Sequence, residues 1–225
     1  IHQVMEGSCA QGLRVGNPVN GVQHLLPKQP SASVRVEHHP AMPWVNIPNF
    51  VATHITDAEN VSRTLLLFVI LTAVRSGEAR GARWSEFNLE QKVWSIPAIR
   101  MKTQVIHRVP LAEPVVELLQ KQQQRSKHSI VFPSPKAGKI LTDMALTSFL
   151  RKHKAISDTP GRPATAHGFR SSFRDWASEN AYPQNLAESA LAHRIKNAVE
   201  AAYHRTDLLE RRRPMMEKWA KFVIS

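Results

Sequence analysis

The chain has 225 residues, of which 42% are hydrophobic, as expected of a globular protein with one domain or one domain and a fragment. Its formal net charge of +12 predicts a polyanionic partner. The longest strongly apolar run, residues 65–73, is too short to span a bilayer, so we expect no membrane-spanning segment. The single cysteine, Cys9, excludes an internal disulfide and a cysteine-built zinc site, and it suits a reducing cytoplasm.

Residues 1–50 differ from the rest of the chain, because five prolines between positions 27 and 48 interrupt any long helix. We interpret this stretch as a linker that follows the remnant of another domain, with the main domain at residues 51–225. His38 and His39 are then solvated linker histidines, which we favour over a metal site. The chain begins with Ile1 and shows no secretory signal, so we expect a piece of a longer protein.

Helical spacing of apolar residues begins near Asp57 and leads to Arg75, which lies at a turn formed by Ser76 and Gly77. Two short apolar stretches follow at residues 92–96 and 105–111, with a polar turn between them. This pattern predicts a small antiparallel sheet with Lys102 at the tip of its hairpin.

The rest of the chain is predicted to be mostly helical. An amphipathic helix covers residues 113–124, and residues 129–133 form an edge strand or an extended link. Further helices are expected at 141–156, from Thr165 or Ala166 onward, and at 184–192, 198–203 and 207–223. The predicted fold class is mainly α with a small antiparallel β-sheet, an α+β architecture.

Several residues could form a site for a phosphodiester. His167 and Arg170 lie three apart on a predicted helix, so their side chains share one face. Arg75 ends an apolar helix and needs an anionic partner; Glu78 could fill that need in a purely structural ion pair, or it could orient Arg75 toward a phosphate. Taken singly, His167 could simply cap its helix and Arg170 could form a surface ion pair.

Three further candidates have equally plain alternatives. Lys102 could be a solvated turn residue, or a mobile cation that reaches into a site. His193 could stabilise the carboxyl end of its helix. Tyr203, one of two tyrosines with Tyr182, could be an ordinary packed aromatic residue. As a nucleophile it would need nearby cations and a base, because the reference pKa of tyrosine is about 10.

Five segments in order resemble the catalytic domain of the tyrosine recombinases, in particular phage and genomic-island integrases of the P4-like type. They are TAVRSGEARGARWSEF, RMKTQVIHRVPL, AHGFR, ALAHRIKNAVEAAYHR and LLERRRPMMEKWA. The resemblance implies the DNA breaking-rejoining fold over residues 51–225, and it implies that residues 1–50 are the end of a core-binding domain with its linker.

The resemblance also implies roles for the candidate residues. Tyr203 would be the nucleophile, and Arg75 and Arg170 would hold the phosphate. Lys102 would protonate the leaving 5′-oxygen and His167 would act as general base. A sixth residue, His193, would hydrogen-bond the phosphate.

The implied activity is site-specific integration or excision of a mobile element through a covalent 3′-phosphotyrosine, without metal, ATP or other cofactor. The implied partner is double-stranded DNA at attachment sites. The protein would be a monomer alone and a homotetramer on DNA, with host DNA-bending factors as candidate accessories, in the bacterial cytoplasm at the nucleoid. The closing helix could pack in its own core or on a neighbouring protomer.

Three other functions compete with this interpretation. A basic DNA-binding module without catalysis explains the net charge equally well. A relaxing enzyme like the type IB topoisomerases would use a similar set of residues. A metal-dependent nuclease is disfavoured, because no HxH, HExxH or paired-carboxylate motif is present.

Overall fold

The computed structural model describes residues 1–22, 25, 38–55, 60–125, 128–136, 139–193 and 206–225. The chain divides into two compact units, Ile1–His38 and His39–Ser225. The predicted helix at 198–203 lies outside the described residues, and so does Tyr203.

The first unit contains two short helices among its described residues, α1 (His2–Ala10) and α2 (Val19–Val22). Neither helix has a buried residue. The Asn17 side-chain amide donates to a Glu6 carboxylate oxygen at 2.6 Å. None of the described residues of this unit is buried.

The second unit is mostly helical, as the sequence predicts, with one small sheet. The helices among its described residues are α3 (Ile47–His54), α4 (Val61–Thr72), α5 (Ser76–Arg80), α6 (Glu113–Arg125), α7 (Asp143–Lys152), α8 (Gly168–Glu179), α9 (Gln184–Ala190) and α10 (Leu209–Val223). Its strands are β1 (Phe87–Asn88), β2 (Val93–Ile96) and β3 (His107–Pro110).

Helix α4 forms the centre of the core. It begins where the Asn60 side chain accepts the Ser62 N–H at 2.8 Å, which satisfies one of the free donors of the first turn. Most of its residues are buried, so it is apolar on nearly all sides. It ends at Ala73, whose φ of 53° is left-handed and turns the chain toward Arg75.

The sheet is antiparallel in the order β1-β2-β3. Val93 pairs with Pro110 and Ile96 with His107, so the two predicted strands form the expected hairpin. Strand β1 adds a short third strand that the periodicity did not predict. It is placed by Phe87, whose ring stacks on the buried Trp94 with centroids 5.1 Å apart.

Helix α10 packs in the core of its own unit. Trp219 is fully buried, and its indole N–H donates to the Ile70 carbonyl of α4 at 2.8 Å. The same ring lies against Phe173 and Trp176 of α8, with centroids 5.4 and 5.1 Å away. The apolar face of this helix is therefore covered within the chain.

Several boundaries differ from the predicted ones. Residues 39–50, which we interpreted as linker, lie within the second unit, because apolar side chains such as Met42 and Ile47 are buried in its core. Helix α7 starts at Asp143 and ends at Lys152, short of residue 156. Of the two alternatives for residues 129–133, the structure shows the extended link, in which Ile130 and Pro133 each form an isolated bridge. Helix α8 starts at Gly168, so His167 precedes the helix.

Candidate functional site

Arg75 lies at the junction between α4 and α5. Its backbone N–H donates to one Glu78 oxygen at 3.0 Å, and its Nη1 donates to the other at 2.8 Å. Glu78 is buried, whereas the Arg75 side chain keeps 23% of its surface exposed. No hydrogen bond of the described residues uses Nε or Nη2 of Arg75, so these donors face no competing acceptor there. The predicted pairing with Glu78 is therefore present and leaves part of the guanidinium free for a ligand.

Arg170 lies almost fully buried on α8, with 3% of its surface exposed. Nη1 donates to the Ala73 carbonyl at 2.7 Å, and Nη2 donates to the Leu191 carbonyl at 2.6 Å. Its Nε is buried without a hydrogen-bond partner. Arg170 is thus not a surface ion pair, and the Ala73 contact places it beside the turn that carries Arg75.

His193 joins this pair through Arg170. Its Nε2 lies 3.1 Å from Arg170 Nη2, and its Nδ1 contacts a Glu188 carboxylate oxygen. The contact with an arginine donor identifies Nε2 as the acceptor and leaves the Nδ1 proton to Glu188. Burial lowers the pKa of His193, although the hydrogen bond with Glu188 opposes that shift. His193 is therefore a hydrogen-bond partner of Arg170, whereas the alternative treated it as a cation that stabilises the end of a helix.

His167 occupies the position before α8, and its side chain forms no capping hydrogen bond. Thr165 takes that place, since its hydroxyl oxygen accepts the Gly168 N–H at 3.0 Å. Burial lowers the pKa of His167 to about 4, and the positive charge of Arg170 adds to the shift. The imidazole is therefore neutral near pH 7, in the form that accepts a proton.

The four residues share one electrostatic environment. Burial and then the charge of Arg75 lower the pKa of Arg170 to about 10, so Arg170 remains a cation at neutral pH. Arg75 and Arg170 also lower the pKa of both His167 and His193. Two arginines and two neutral imidazoles in close proximity suit the binding of an anion, which would relieve the repulsion between the cations.

Lys102 is exposed in the turn between β2 and β3, and no hydrogen bond or ion pair of the described residues involves it. Its hairpin is nevertheless fixed next to Arg75. Arg100 donates to Glu86 through Nη1 and to the Glu78 carbonyl through Nη2. Gly81 permits this approach, because a Cβ there would lie 2.9 Å from Arg100 Nη2. Lys102 is therefore two residues from Arg100, which hydrogen-bonds the turn that carries Arg75.

The segment that carries Tyr203 is followed by an anchored residue. Asp207 accepts two hydrogen bonds from Arg108 of β3, each 2.8 Å long. Burial raises the pKa of Asp207, but the Arg108 hydrogen bonds and the charge of Arg212 outweigh it, so the pKa falls below its usual value. Arg212 is fully buried, with its Nη2 3.5 Å from Asp207. The chain after residue 205 is therefore held against the hairpin strand.

Sequence reasoning did not identify Glu188, Arg100 or His39 as parts of this site. Glu188 lies five positions before His193, which is a spacing that could have suggested a pair. Arg100 lies two positions before Lys102, and no sequence pattern distinguishes it from the other arginines. His39 was interpreted as a solvated linker residue; it is exposed, but its ring centroid lies 4.4 Å from that of His167.

Two classes of feature are absent from the described part of the chain. No group of three or more histidine, cysteine, aspartate or glutamate residues there could hold a metal ion. No helix there has the length and apolar character needed to cross a membrane.

Comparison with known proteins places these features in context. The phage integrase family matches residues 46–208. The prophage integrase IntA of Escherichia coli (strain K12) is 34% identical over 180 residues, which cover 79% of this chain and 42% of that protein. The integrase of Enterobacteria phage P4 is 32% identical over 209 residues, covering 85% of this chain and 47% of that protein. The chain thus spans about half the length of these relatives.

The fold also matches a solved structure. A lambda integrase tetramer bound to a Holliday junction superposes with a TM-score of 0.59 at 16% identity, covering 92% of this chain and 57% of that one. At this identity the match concerns the fold alone.

Proposed function

Because the chain belongs to the phage integrase family, we propose that it catalyses site-specific DNA recombination, the integration or excision of a mobile element. The observation that carries the proposal is the contact network of Arg170. This buried cation hydrogen-bonds His193 and the carbonyl of Ala73, two residues before Arg75. Two guanidinium groups and two neutral imidazoles are thus organised before any substrate binds, as transition-state stabilisation requires.

The two arginines bind the scissile phosphate in this proposal. Arg75 offers Nε and Nη2, and the buried Arg170 contributes its positive charge. As the phosphorus becomes five-coordinate, negative charge grows on the non-bridging oxygens, and fixed donors stabilise it without reorganisation. Glu78 holds Arg75 in place, since it binds both the side chain and the backbone of that residue.

The two histidines act on protons and hydrogen bonds. His167 accepts the proton of the Tyr203 hydroxyl as a neutral general base. His193 completes the phosphate site, and Glu188 fixes its orientation through Nδ1. Glu188 in turn pairs with Arg174 at 3.1 Å, which restrains the carboxylate.

Tyr203 attacks phosphorus in line, and the 5′-oxygen leaves with a proton from Lys102. The phosphotyrosine bond retains the energy of the phosphodiester, so a 5′-hydroxyl of a partner strand can later displace Tyr203 and restore the backbone. The cycle is balanced without a metal ion or ATP, and we propose that it needs neither.

The proposed substrate is double-stranded DNA at two attachment sites, bound through the positive charge of the chain. The solved relative is a tetramer on a Holliday junction, and we propose the same assembly for the protein that contains this chain, with a monomer in the absence of DNA. Host DNA-bending proteins are candidate accessories, and the place of action would be the cytoplasm at the nucleoid.

The test is the formation of a covalent protein–DNA complex in the presence of EDTA. The chain is incubated with supercoiled plasmid and with nicked duplexes from a randomised pool, and the products are separated on a denaturing gel. We expect a band that resists denaturation in the wild type and in Tyr182→Phe, and no band in Tyr203→Phe. Tyr182 is a matched control, because its ring packs against Trp176 with centroids 5.4 Å apart and the substitution keeps the ring.

Other outcomes separate the competing functions. DNA binding without any covalent band favours a non-catalytic module. A band with relaxation of the plasmid, but with no joining of two duplexes, favours topoisomerase-like action. A band that EDTA abolishes refutes the metal-independent mechanism.

A further inference from the structure

His39 contacts the candidate site, although it is not one of the six predicted site residues. Its imidazole lies against that of His167, with ring centroids 4.4 Å apart and an interplanar angle of 56°. Both histidines are exposed to solvent. His167 is therefore in contact with a second titratable ring, which is itself open to water.

The backbone next to His39 is tightly held, so this contact is defined by the fold. The Pro40 carbonyl accepts the Thr165 N–H at 3.0 Å and the Thr165 hydroxyl at 3.3 Å. Ala41 and Asp158 exchange hydrogen bonds of 3.0 and 2.8 Å. Gly168 lies directly against this segment, since a Cβ there would come within 2.0 Å of the Pro40 oxygen. We call residues 40–42 the strap.

The strap also reaches the core of the site helix. The Ser172 hydroxyl of α8 donates to the Met42 carbonyl, and both residues are buried. The strap is thus bonded to the turn before His167 and to the second turn of the helix after it. This backbone places position 39 next to His167, where the two rings are in contact.

We propose that His39 is a positioning residue for His167, because its ring restricts the orientation of the catalytic imidazole. A protonated His39 would also disfavour a second positive charge beside it. The inference rests on the proposed function, because it assigns His167 the part of general base. It deepens that function by adding a residue, His39, from the segment before α3.

The charged and titratable groups around His167 come from four different parts of the chain. Arg170 lies on α8, Arg75 before α5, His193 after α9, and His39 before the strap. Burial and all four of these groups lower the pKa of His167. His39 is the member of this set that forms a ring contact with His167, and it makes no hydrogen bond to Arg75, Arg170 or His193 among the described residues.

Removal of His39 should raise the pKa of His167. Without the neighbouring charge, the imidazolium form of His167 becomes less unfavourable, so its pKa rises. A unit charge 4.4 Å away in a largely aqueous setting changes a pKa by about 0.5–1 unit. From a starting value of about 4, the protonated fraction at pH 5 would rise from about a tenth to about a third.

Two substitutions separate the ring from the charge. His39→Phe keeps an aromatic ring over His167 and removes the charge, whereas His39→Ala removes both. His38→Ala is the matched control, because His38 is also exposed and is adjacent in sequence.

The first readout is an NMR titration of the full chain with labelled histidine, with the His167 signal assigned from His167→Gln. We expect the midpoint of His167 to move up by about 0.5–1 pH unit in both His39 variants, and to stay in place in His38→Ala. Unchanged midpoints in both His39 variants would overturn the electrostatic part of the inference. This measurement needs no DNA and no cleavage.

The second readout is the pH profile of covalent-complex formation under single-turnover conditions. The acid limb of the rate should move to higher pH in both His39 variants, and the plateau should fall further in His39→Ala than in His39→Phe. Equal plateaus in the two variants and the wild type would overturn the orienting role. A wild type without a Tyr203-dependent band would refute the proposed function, while a moved NMR midpoint would still support the coupling of the two histidines.

Discussion

Gly168 gives the most direct test of how the strap is packed against the site helix. Its φ is not in the left-handed region, so an alanine there is disfavoured by space alone. A Cβ would lie 2.0 Å from the Pro40 oxygen and 2.8 Å from the Ala41 Cα. Since these are backbone atoms and Cβ contacts under 3.0 Å are essentially never seen, the strap would have to retreat by about 1 Å.

The expected loss in the free energy of unfolding for Gly168→Ala is about 2–4 kcal/mol. Overpacking typically costs about 1–3 kcal/mol, and the two Thr165 hydrogen bonds to Pro40 add about 1 kcal/mol each. Alanine recovers about 0.5–1 kcal/mol through its better helix propensity.

Urea unfolding followed by tryptophan fluorescence measures this loss, provided that the m-values of the variants agree. Gly77→Ala is the matched control, because Gly77 also lies in a first helical turn and its nearest neighbour is the flexible end of Arg80, 3.8 Å away. We expect that control within about 1 kcal/mol of the wild type. If Gly168→Ala matches the stability of Gly77→Ala, the packing of the strap described above is wrong.

Two further predictions concern charge. Glu188→Gln should slow formation of the covalent complex at least about tenfold, because His193 loses a charged hydrogen-bond partner and its pKa falls further. The control is Glu210→Gln, which removes an exposed ion pair. Equal single-turnover rates for the two variants would contradict this prediction. His107 is buried, and burial followed by the charge of Arg212 lowers its pKa from 6.5 to about 3. The stability that neutral His107 contributes is therefore complete above pH 6.5 and is lost as the pH falls toward 3. The expected slope is about 1.4 kcal/mol per pH unit. His107→Gln should flatten the pH dependence of the free energy of unfolding in that window, and an unchanged slope in urea titrations from pH 7 to pH 4 would refute the assignment.

Local patterns predicted those parts of the structure that depend on neighbours in sequence. The apolar helix that leads to Arg75 was predicted from the spacing of its apolar residues, and eight of the twelve residues of α4 are buried. The Arg75–Glu78 pair was predicted from a separation of three residues, and both of its hydrogen bonds are present. The hairpin was predicted from two apolar runs with a polar turn between them.

Contacts between distant segments were not predictable in this way. The start of α8 depends on the strap, 125 positions away in sequence from Thr165, whose hydroxyl bonds both Pro40 and Gly168. The covering of His167 by His39 depends on the same long-range contact. A proline-rich stretch predicts an extended chain, but nothing in it shows which surface the chain will follow.

The environment of Arg170 explains how this cation is stabilised in the interior. Its two hydrogen-bonded carbonyls belong to Ala73 and Leu191, the residues that end α4 and α9. Carbonyls at the carboxyl end of a helix lack partners within it and carry partial negative charge, so they stabilise a cation there. No carboxylate of the described residues hydrogen-bonds Arg170. A full ion pair would neutralise the guanidinium, whereas two helix ends hold it in place and leave most of its charge for an incoming anion. Lysine at this position could not span the two carbonyls and His193 with one planar group, so the geometry requires arginine.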